Sequence, residues 1–393
     1  MQANHNRDAA VLRTRAAIRL PAGSRIAVAM SGGVDSSTVA ALLVEAGYEV
    51  FGLTARLYDL PDDTVVSVGS CCAPRDAADA RATASKLGIR HYVVDERAHF
   101  ETHVMARFAD DYASARTPNP CVECNRHLKF DRLLERALLL GAEALATGHY
   151  ARLDVDAAGD VQLYRGQDRA KDQAYFLHAL RPESARWLRF PLGALDKAAV
   201  RDEARRLDVP VADKPESMDI CFVAGKTHAD WVADRDQAVS GTIIDVTGMR
   251  IGRHDNLARF TVGQRRGLGV GAGGEKRYVV DKRSDGTVVV GDHAALAVEG
   301  VCLAEFGTIA GNDVAIGAML ALQWRHRGPT VDVVVSARHD DVVTLRCLTP
   351  IFGVAPGQSG ILLAGERVVG GGIIDRIDRI DRAAAAAVAA SPA

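Results

Sequence analysis

Two groups of residues carry reactive chemistry. The run Ser31-Gly32-Gly33-Val34-Asp35-Ser36-Ser37 sets two glycines, three hydroxyls and a carboxylate within seven positions. Glycines let a backbone approach an anion closely, and hydroxyls plus the N–H groups of a helix start supply donors to hold it. No lysine follows the second glycine, so this is not the common nucleotide loop in which a lysine reaches the γ-phosphate. The second group is made of thiols. Cys121 and Cys124 are spaced C-x-x-C in Thr117-Pro118-Asn119-Pro120-Cys121-Val122-Glu123-Cys124-Asn125, and Cys221 lies far along in Ser217-Met218-Asp219-Ile220-Cys221-Phe222. Two prolines stiffen the first loop, and Asn125 is expected to cap a following helix. That would put Cys124 at a helix N-terminus, where a thiol becomes more acidic and a better nucleophile.

The elements that must position these groups read as alternating strands and helices in the N-terminal half. Arg25 to Met30 is a short apolar strand, and Ser36 to Gly47 is apolar at helical spacing. Further strands are expected at Tyr48 to Leu53, Arg90 to Val94 and Ala144 to Thr147, with helices at Asp76 to Leu87 and Asn125 to Leu140. Such alternation predicts a doubly wound parallel sheet, with the glycine–serine run between its first strand and first helix. From Gly241 onward apolar runs shorten, and Val331, Val333 and Val335 alternate with other residues, as do Val343 and Leu345. This predicts antiparallel β structure in one or two small barrels. The expected limits are an extension over 1–24, an α/β domain over 25–212, a small central β domain over 213–290, a C-terminal β-barrel over 291–376 and a low-complexity tail over 377–393.

With 393 residues, 48% hydrophobic and 25% charged, the chain has the composition of a multidomain soluble enzyme. No apolar run is long enough to span a bilayer. The net charge of −2 neither points to nucleic acid nor excludes it; a nucleic-acid binder of this balance must gather its basic residues on one face. Seven cysteines, an odd number, fit a reducing cytoplasm rather than a disulfide framework. Of the remaining four, Cys71 and Cys72 are read as loop or core residues, and Cys302 and Cys347 as small apolar fillers. The extension carries Arg7, Arg13, Arg15 and Arg19 against Asp8 and is expected to lack structure.

The glycine–serine run resembles the PP-loop, SGGxDS, of ATP pyrophosphatases, which split ATP between the α and β phosphates and adenylate an acceptor oxygen. Both cysteine segments resemble the tRNA-specific 2-thiouridylase family. Further segments agree in family order: Ala146-Thr147-Gly148-His149-Tyr150, Lys171-Asp172-Gln173-Ala174-Tyr175-Phe176-Leu177, Gly263-Gln264-Arg265-Arg266-Gly267-Leu268-Gly269, Pro356-Gly357-Gln358-Ser359 and Gly370-Gly371-Gly372-Ile373-Ile374. The resemblance runs from about Arg25 to Ile374. It implies an N-terminal domain like the adenine nucleotide alpha hydrolases, and an enzyme that converts the wobble uridine of tRNA to 2-thiouridine, releasing AMP and pyrophosphate. ATP would lie against Ala29, Met30, Ser31, Gly32, Gly33, Val34, Asp35, Ser36, Ala55 and Gly148, with Asp35 helping to place Mg2+. Cys221 would take a persulfide sulfur, with Cys124 as its partner.

On the RNA side the resemblance implies contacts from Asn119, Pro120 and Cys121 to a uridine turned out of the anticodon stack. It further implies contacts from His149, Lys171, Asp172, Gln173, Arg325, His326 and Gln358. The expected partners are tRNAs for Lys, Glu and Gln and a cysteine desulfurase or sulfur-relay protein, with no membrane. The family motif has Asp where this chain has Cys121. Three thiols, Cys121, Cys124 and Cys221, can hold a [4Fe–4S] cluster with one iron left open. Persulfide and disulfide chemistry with Cys121 as a spare thiol is the alternative, and zinc, with His127 as a fourth ligand, is a third.

Overall fold

The computed structural model describes residues 2–59, 74–216, 220–223, 225–269, 276–311 and 314–380. The N-terminal half contains strands β1 (Arg25–Ala29), β2 (Glu49–Arg56), β3 (Arg90–Asp95) and β4 (Ala144–Ala146), a hairpin of β5 (Ala151–Val155) and β6 (Val161–Arg165), and a short β7 (Leu188–Arg189). Five of them form a parallel sheet in the order β3-β2-β1-β4-β7. Alternation along the strands separates two buried layers: Ile26, Val28, Val50 and Ala146 pack to one side, and Ala27, Phe51, Leu53 and Leu145 to the other. Strands covered on both faces read as continuous apolar runs, which is why RIAVA was legible as strand.

The helices that cover the sheet are α1 (Gln2–Ile18), α2 (Val34–Glu45), α3 (Pro74–Lys86), α4 (residues 97–113), α5 (residues 120–139) and α6 (Lys197–Arg206). The extension expected to lack structure is thus a helix. Ala10, Thr14 and Ile18 recur every four residues on its buried face, and Arg15 donates to the Ala46 carbonyl at 3.0 and 3.2 Å. Arg13 pairs with Glu203 at 3.1 Å, so the arginines serve packing contacts.

The second half begins with α7 (His228–Ala233) and a sheet of β8 (Gly241–Asp245), β9 (Arg250–His254), β10 (Tyr278–Lys282) and β11 (Val288–Gly291), ordered β10-β11-β8-β9. β11 and β8 run parallel, so this sheet is mixed rather than wholly antiparallel, and among the described residues it is not closed. The last six strands are β12 (Ala297–Thr308), β13 (Met319–Gln323), β14 (Thr330–His339), β15 (Val342–Phe352), β16 (Ser359–Ala364) and β17 (Arg367–Arg379). They form a closed barrel, β12 pairing with both β15 and β17. The alternating Val331, Val333, Val335, Val343 and Leu345 point into its core. Cys347 is buried there as a filler, and burial pushes its thiol up to about 11. Cys302, expected as another filler, is buried on β12 outside that cluster, and its Sγ accepts from Arg376 at 3.6 Å. Among the described residues no helix is long and apolar enough to cross a membrane.

The α/β unit and the barrel share a sheet. The β5–β6 hairpin adds to β17 through Arg367 opposite Tyr164 and Val368 opposite Leu163. Tyr175 donates its hydroxyl to the Ser359 carbonyl at 2.8 Å, and His178 Nε2 meets Ser359 Oγ at 2.9 Å. Gly371 allows this approach, since a Cβ there would lie 2.8 Å from that of His178. The tail from Ala383 lies outside the described residues.

Candidate active site

The strand order reverses between β1 and β4, and ligands of open α/β sheets bind at the carboxyl ends of strands at such a point. The chain leaves β1 into Ser31-Gly32-Gly33 and enters α2 at Val34. Gly32 sits at φ +70°, and a Cβ there would fall 2.0 Å from the Asp76 carbonyl oxygen. Ser36 Oγ accepts from the Ser31 N–H at 3.1 Å and donates to the Gly33 carbonyl at 3.3 Å, which closes the loop on itself. No side chain caps α2 at Gly33, so its mouth is framed by backbone. From the neighbouring strand Gly148 backs the loop, and a Cβ at Gly148 would stand 2.9 Å from the Ser36 nitrogen. Ala29, Met30 and Ala55 line the same strand ends, Met30 donating its N–H to the Leu53 carbonyl at 2.8 Å.

A chain of charged groups runs out from this loop. Asp35 accepts from the Tyr150 hydroxyl at 2.8 Å and from Lys197 Nζ at 2.7 and 2.9 Å. Lys197 also bonds Glu216 at 2.7 Å, and the other Glu216 oxygen holds Lys171. Burial alone would raise the Glu216 carboxyl; the bonds from Lys171 and Lys197 overcome it and hold the group at about 2. Burial and then the Asp35 charge push the Tyr150 phenol far above its usual range, so it stays a donor. Lys214 ties the same segment to the loop, reaching the Gly32 carbonyl at 3.0 Å, Asp76 at 2.6 Å and Asp79 at 2.5 Å. Sequence reading missed Tyr150, Lys197, Lys214 and Glu216. The one local signal was Asp196 as cap of α6, which marks where Lys197 starts but not the Asp35 it meets.

The segment from Lys214 to Glu216 leads on to Cys221, across Ser217, Met218 and Asp219, which lie outside the described residues. Cys221 is half-buried, and its carbonyl accepts from the Tyr58 hydroxyl at 2.8 Å. Cys124 is half-buried and packs against the same apolar cluster as Cys221; Cys121 is exposed. The helix carrying Cys124 begins at Pro120, with Asn119 as its cap residue, not at Asn125. Proline suits the first helical position because its missing N–H is unused there. Cys124 therefore lies a full turn inside α5, where the helix widens to π geometry over Cys124–Leu133, and Asn125 grips the Phe176 carbonyl at 3.0 Å. Among the described residues no three His, Cys, Asp or Glu side chains gather at metal-holding separations. Among these residues Cys121, Cys124 and Cys221, with or without His127, are not drawn together as the ligands of one metal ion. His127 faces Glu123 at 3.3 Å instead. Cys71 and Cys72 lie outside the described residues.

The barrel holds the proline loop from the other side. Gln358 donates to the Thr117 and Pro118 carbonyls at 2.9 and 3.3 Å, and Thr117 donates to the Pro356 carbonyl at 2.8 Å. Asn119 is half-buried and Pro120 buried in this loop. His326 lies on Phe176 with ring centroids 4.4 Å apart, and Arg325 beside it is exposed. Lys171 stands at the edge on Glu216, while Gln173 accepts from the Tyr150 N–H at 3.0 Å. Two residues expected on the RNA side face inward. Asp172 is 7% exposed and accepts from Arg165, Gly166 and Ala174 at 2.7, 2.9 and 3.1 Å. His149 is also 7% exposed, lies between Phe130 and Phe190 and bonds Thr147 Oγ1 at 2.6 Å. Burial pushes the His149 imidazole well below its ordinary range.

A glycine–serine loop at the switch point of a doubly wound sheet, with a barrel gripping the proline–cysteine loop of the same unit, defines a nucleotide-dependent α/β enzyme of the PP-loop class. Residues 24–225 match the family model "tRNA methyl transferase HUP domain", 229–292 the "tRNA methyl transferase PRC-barrel domain" and 316–374 the "Aminomethyltransferase beta-barrel domain". The chain is 45% identical over 368 residues to the tRNA-specific 2-thiouridylase MnmA of Rhodospirillum centenum, covering 91% of this chain and 93% of that one. It is 46% identical over 356 residues to the same-named protein of Rhizorhabdus wittichii, covering 90% and 92%. The chain belongs to the tRNA-specific 2-thiouridylase family. Among solved structures, a U34-tRNA thiolase NcsA from Methanococcus maripaludis with its [4Fe-4S] cluster aligns at 17% identity and a TM-score of 0.36, covering 58% of this chain and 70% of that one.

Proposed function

We propose that the protein is an ATP-dependent tRNA uridine 2-sulfurtransferase that works through cysteine persulfide chemistry. Family membership across nine-tenths of the chain supports the activity. The observation that carries the site assignment is that Lys214 and Glu216, which precede Cys221 in the chain, bond the Gly32 carbonyl and Lys197, the partner of Asp35. A uracil carbonyl oxygen is a poor leaving group, so the base must be activated first. Its O2 attacks the α-phosphorus of ATP, pyrophosphate departs, and C2 becomes open to sulfur. The terminal sulfur of a Cys221 persulfide then attacks C2, and the C2–O bond breaks with release of AMP. The Cys124 thiolate attacks the remaining Cys221 sulfur, forming a disulfide and freeing the thiocarbonyl; an external thiol reductant resets the pair.

Around this chemistry, the loop from Ala29 to Ser36 with Gly148 and Ala55 holds the nucleotide. Asp35, an oxygen donor at the loop, suits Mg2+, which would neutralise phosphate charge when bound. Asn119, Pro120 and Cys121 receive the turned-out uridine, with Lys171, Arg325 and His326 along the RNA. The buried Asp172 and His149 and the half-buried Gln173 and Gln358 hold the loops that do so. The partners are tRNAs for Lys, Glu and Gln and a cysteine desulfurase or relay protein, in the cytoplasm, and the domain limits are those expected from the sequence, except that α1 joins the α/β domain and β17 carries the barrel to Arg379. The test is purification without oxygen, iron and sulfide analysis, and thiolation of unmodified tRNA. An iron-free active protein that tolerates Cys121→Ala but not Cys124→Ala or Cys221→Ala supports the proposal. About four irons per chain, with activity lost in Cys121→Ala, overturns the persulfide part.

A further inference from the structure

The phosphate loop has no lysine of its own, yet one reaches it from α6. Lys197 is the first residue of that helix, and Asp196 caps it by accepting from the Ala199 N–H at 2.7 Å. The Lys197 side chain is only 13% exposed, with Nζ at 2.7 and 2.9 Å from the two Asp35 oxygens and 2.7 Å from Glu216. Taking an ammonium this far from water is costly unless it is paired. Two carboxylates share it, and one of them, Asp35, is the second residue of α2. The ammonium therefore stands one carboxylate away from the helix mouth where phosphates bind. Its second partner, Glu216, is already held by Lys171, so the ammonium keeps its place when Asp35 changes partner.

A nucleotide brings anionic phosphates and a divalent cation into this corner. The Asp35 oxygens would hold such a cation, and phosphate oxygens offer Lys197 a replacement. We propose that Lys197 binds the pyrophosphate half of ATP, exchanging Asp35 for phosphate oxygens while Glu216 keeps the ammonium in place. This rests on the nucleotide-dependent reading above and adds which end of the nucleotide the group grips. As the bond from uracil O2 to the α-phosphorus forms, the bond from that phosphorus to the bridging oxygen breaks. The electron pair leaves on pyrophosphate, beside the ammonium. The uracil N3 proton goes to solvent, and nothing is oxidised or reduced. A lysine there supplies from across the fold what the loop sequence lacks.

The test is equilibrium titration of the full chain with Mg–ATP, Mg–pyrophosphate and AMP, for the wild type, Lys197→Gln and Lys197→Arg, each checked by thermal melting. In Lys197→Gln, ATP and pyrophosphate affinity should fall roughly 10- to 100-fold, the worth of a charge-assisted bond, with AMP affinity unchanged. Lys197→Arg should recover most of the loss. An equal loss for all three ligands in Lys197→Gln means the residue only shapes the loop, and wild-type binding of all three means it touches nothing; either overturns the inference. If Lys197→Gln does not fold, Lys197→Met, which keeps the apolar stem and removes the charge, takes its place: a loss confined to ATP and pyrophosphate supports the inference, and an equal loss for all three ligands or none overturns it. A wild type that binds neither ATP nor pyrophosphate overturns the nucleotide-dependent reading itself.

Discussion

Gly32→Ala and Gly33→Ala differ by one position, and the structure gives them opposite consequences. At Gly32, φ is +70° and the added Cβ would sit 2.0 Å from the Asp76 carbonyl oxygen. Relieving that overlap moves the start of α3 by about 1 Å, an overpacking of roughly 1–3 kcal/mol. The left-handed backbone adds about 1–2 kcal/mol. Together these make a loss of roughly 2–5 kcal/mol of stability, a large fraction of what a domain has. At Gly33, φ is −88° and the added Cβ meets only Ser31 Oγ, at 3.6 Å. The fold should lose less than about 1 kcal/mol there, because an ordinary φ also gains from a stiffer unfolded chain. The same methyl group stands at the mouth of α2, where phosphate oxygens must approach. A displacement of about 1 Å at that point costs roughly a hundredfold in turnover. Thermal melting without nucleotide and ATP–pyrophosphate exchange with tRNA read the two effects separately. Gly32→Ala should melt well below the wild type, and Gly33→Ala should melt with it but exchange about a hundredfold more slowly. Wild-type exchange in Gly33→Ala would refute the placement of the phosphates, and wild-type melting in Gly32→Ala would refute the packing against Asp76.

Cys221→Ser should abolish thiolation of tRNA while leaving pyrophosphate exchange within about twofold, because adenylation precedes the sulfur step and needs no thiol. Liquid chromatography of digested tRNA measures the first and labelled pyrophosphate the second. Burial holds the His178 imidazole at about 4 against an ordinary 6.5. The unfolded chain takes up that proton first, so stability is lost as pH falls from 6.5 to 4, by up to ~3 kcal/mol. His178→Gln should flatten this slope in urea titrations. The buried Lys282, whose Nζ donates to the Arg116 carbonyl at 3.1 Å, is held by burial at about 8 against 10.5. The unfolded state again binds more protons, so this group makes the fold gain stability as pH rises from 8 to 10.5. Lys282→Met should remove that gain in the same titrations.

The sequence carried the parts of this molecule whose physics is local. RIAVA followed by a glycine–serine run announces a buried strand, a tight turn and a helix start, and the structure places all three within two residues of expectation. Alternating valines announced the barrel interior for the same reason. Contacts between distant segments left no such mark. Nothing around Lys197 signals that its ammonium meets Asp35, 162 residues earlier in the chain. Asp172 and His149 sit in recognisable motifs, but a motif does not say which way a side chain turns, and both turn inward. Asn125 has the chemistry of a helix cap, yet Pro120 starts the helix earlier and frees Asn125 for the Phe176 carbonyl. The N-terminal arginines read as an extension without structure because their partners, Ala46 and Glu203, are remote.

The most direct test is the product itself. Unmodified tRNA for Glu, incubated with the protein, Mg–ATP, a persulfide donor and a thiol reductant, is digested to nucleosides and weighed by mass spectrometry, with AMP and pyrophosphate counted alongside. We predict 2-thiouridine at the wobble position, with one AMP and one pyrophosphate per sulfur inserted. ADP and phosphate in place of AMP and pyrophosphate, or sulfur inserted without ATP, would contradict an enzyme that activates the uridine by adenylation.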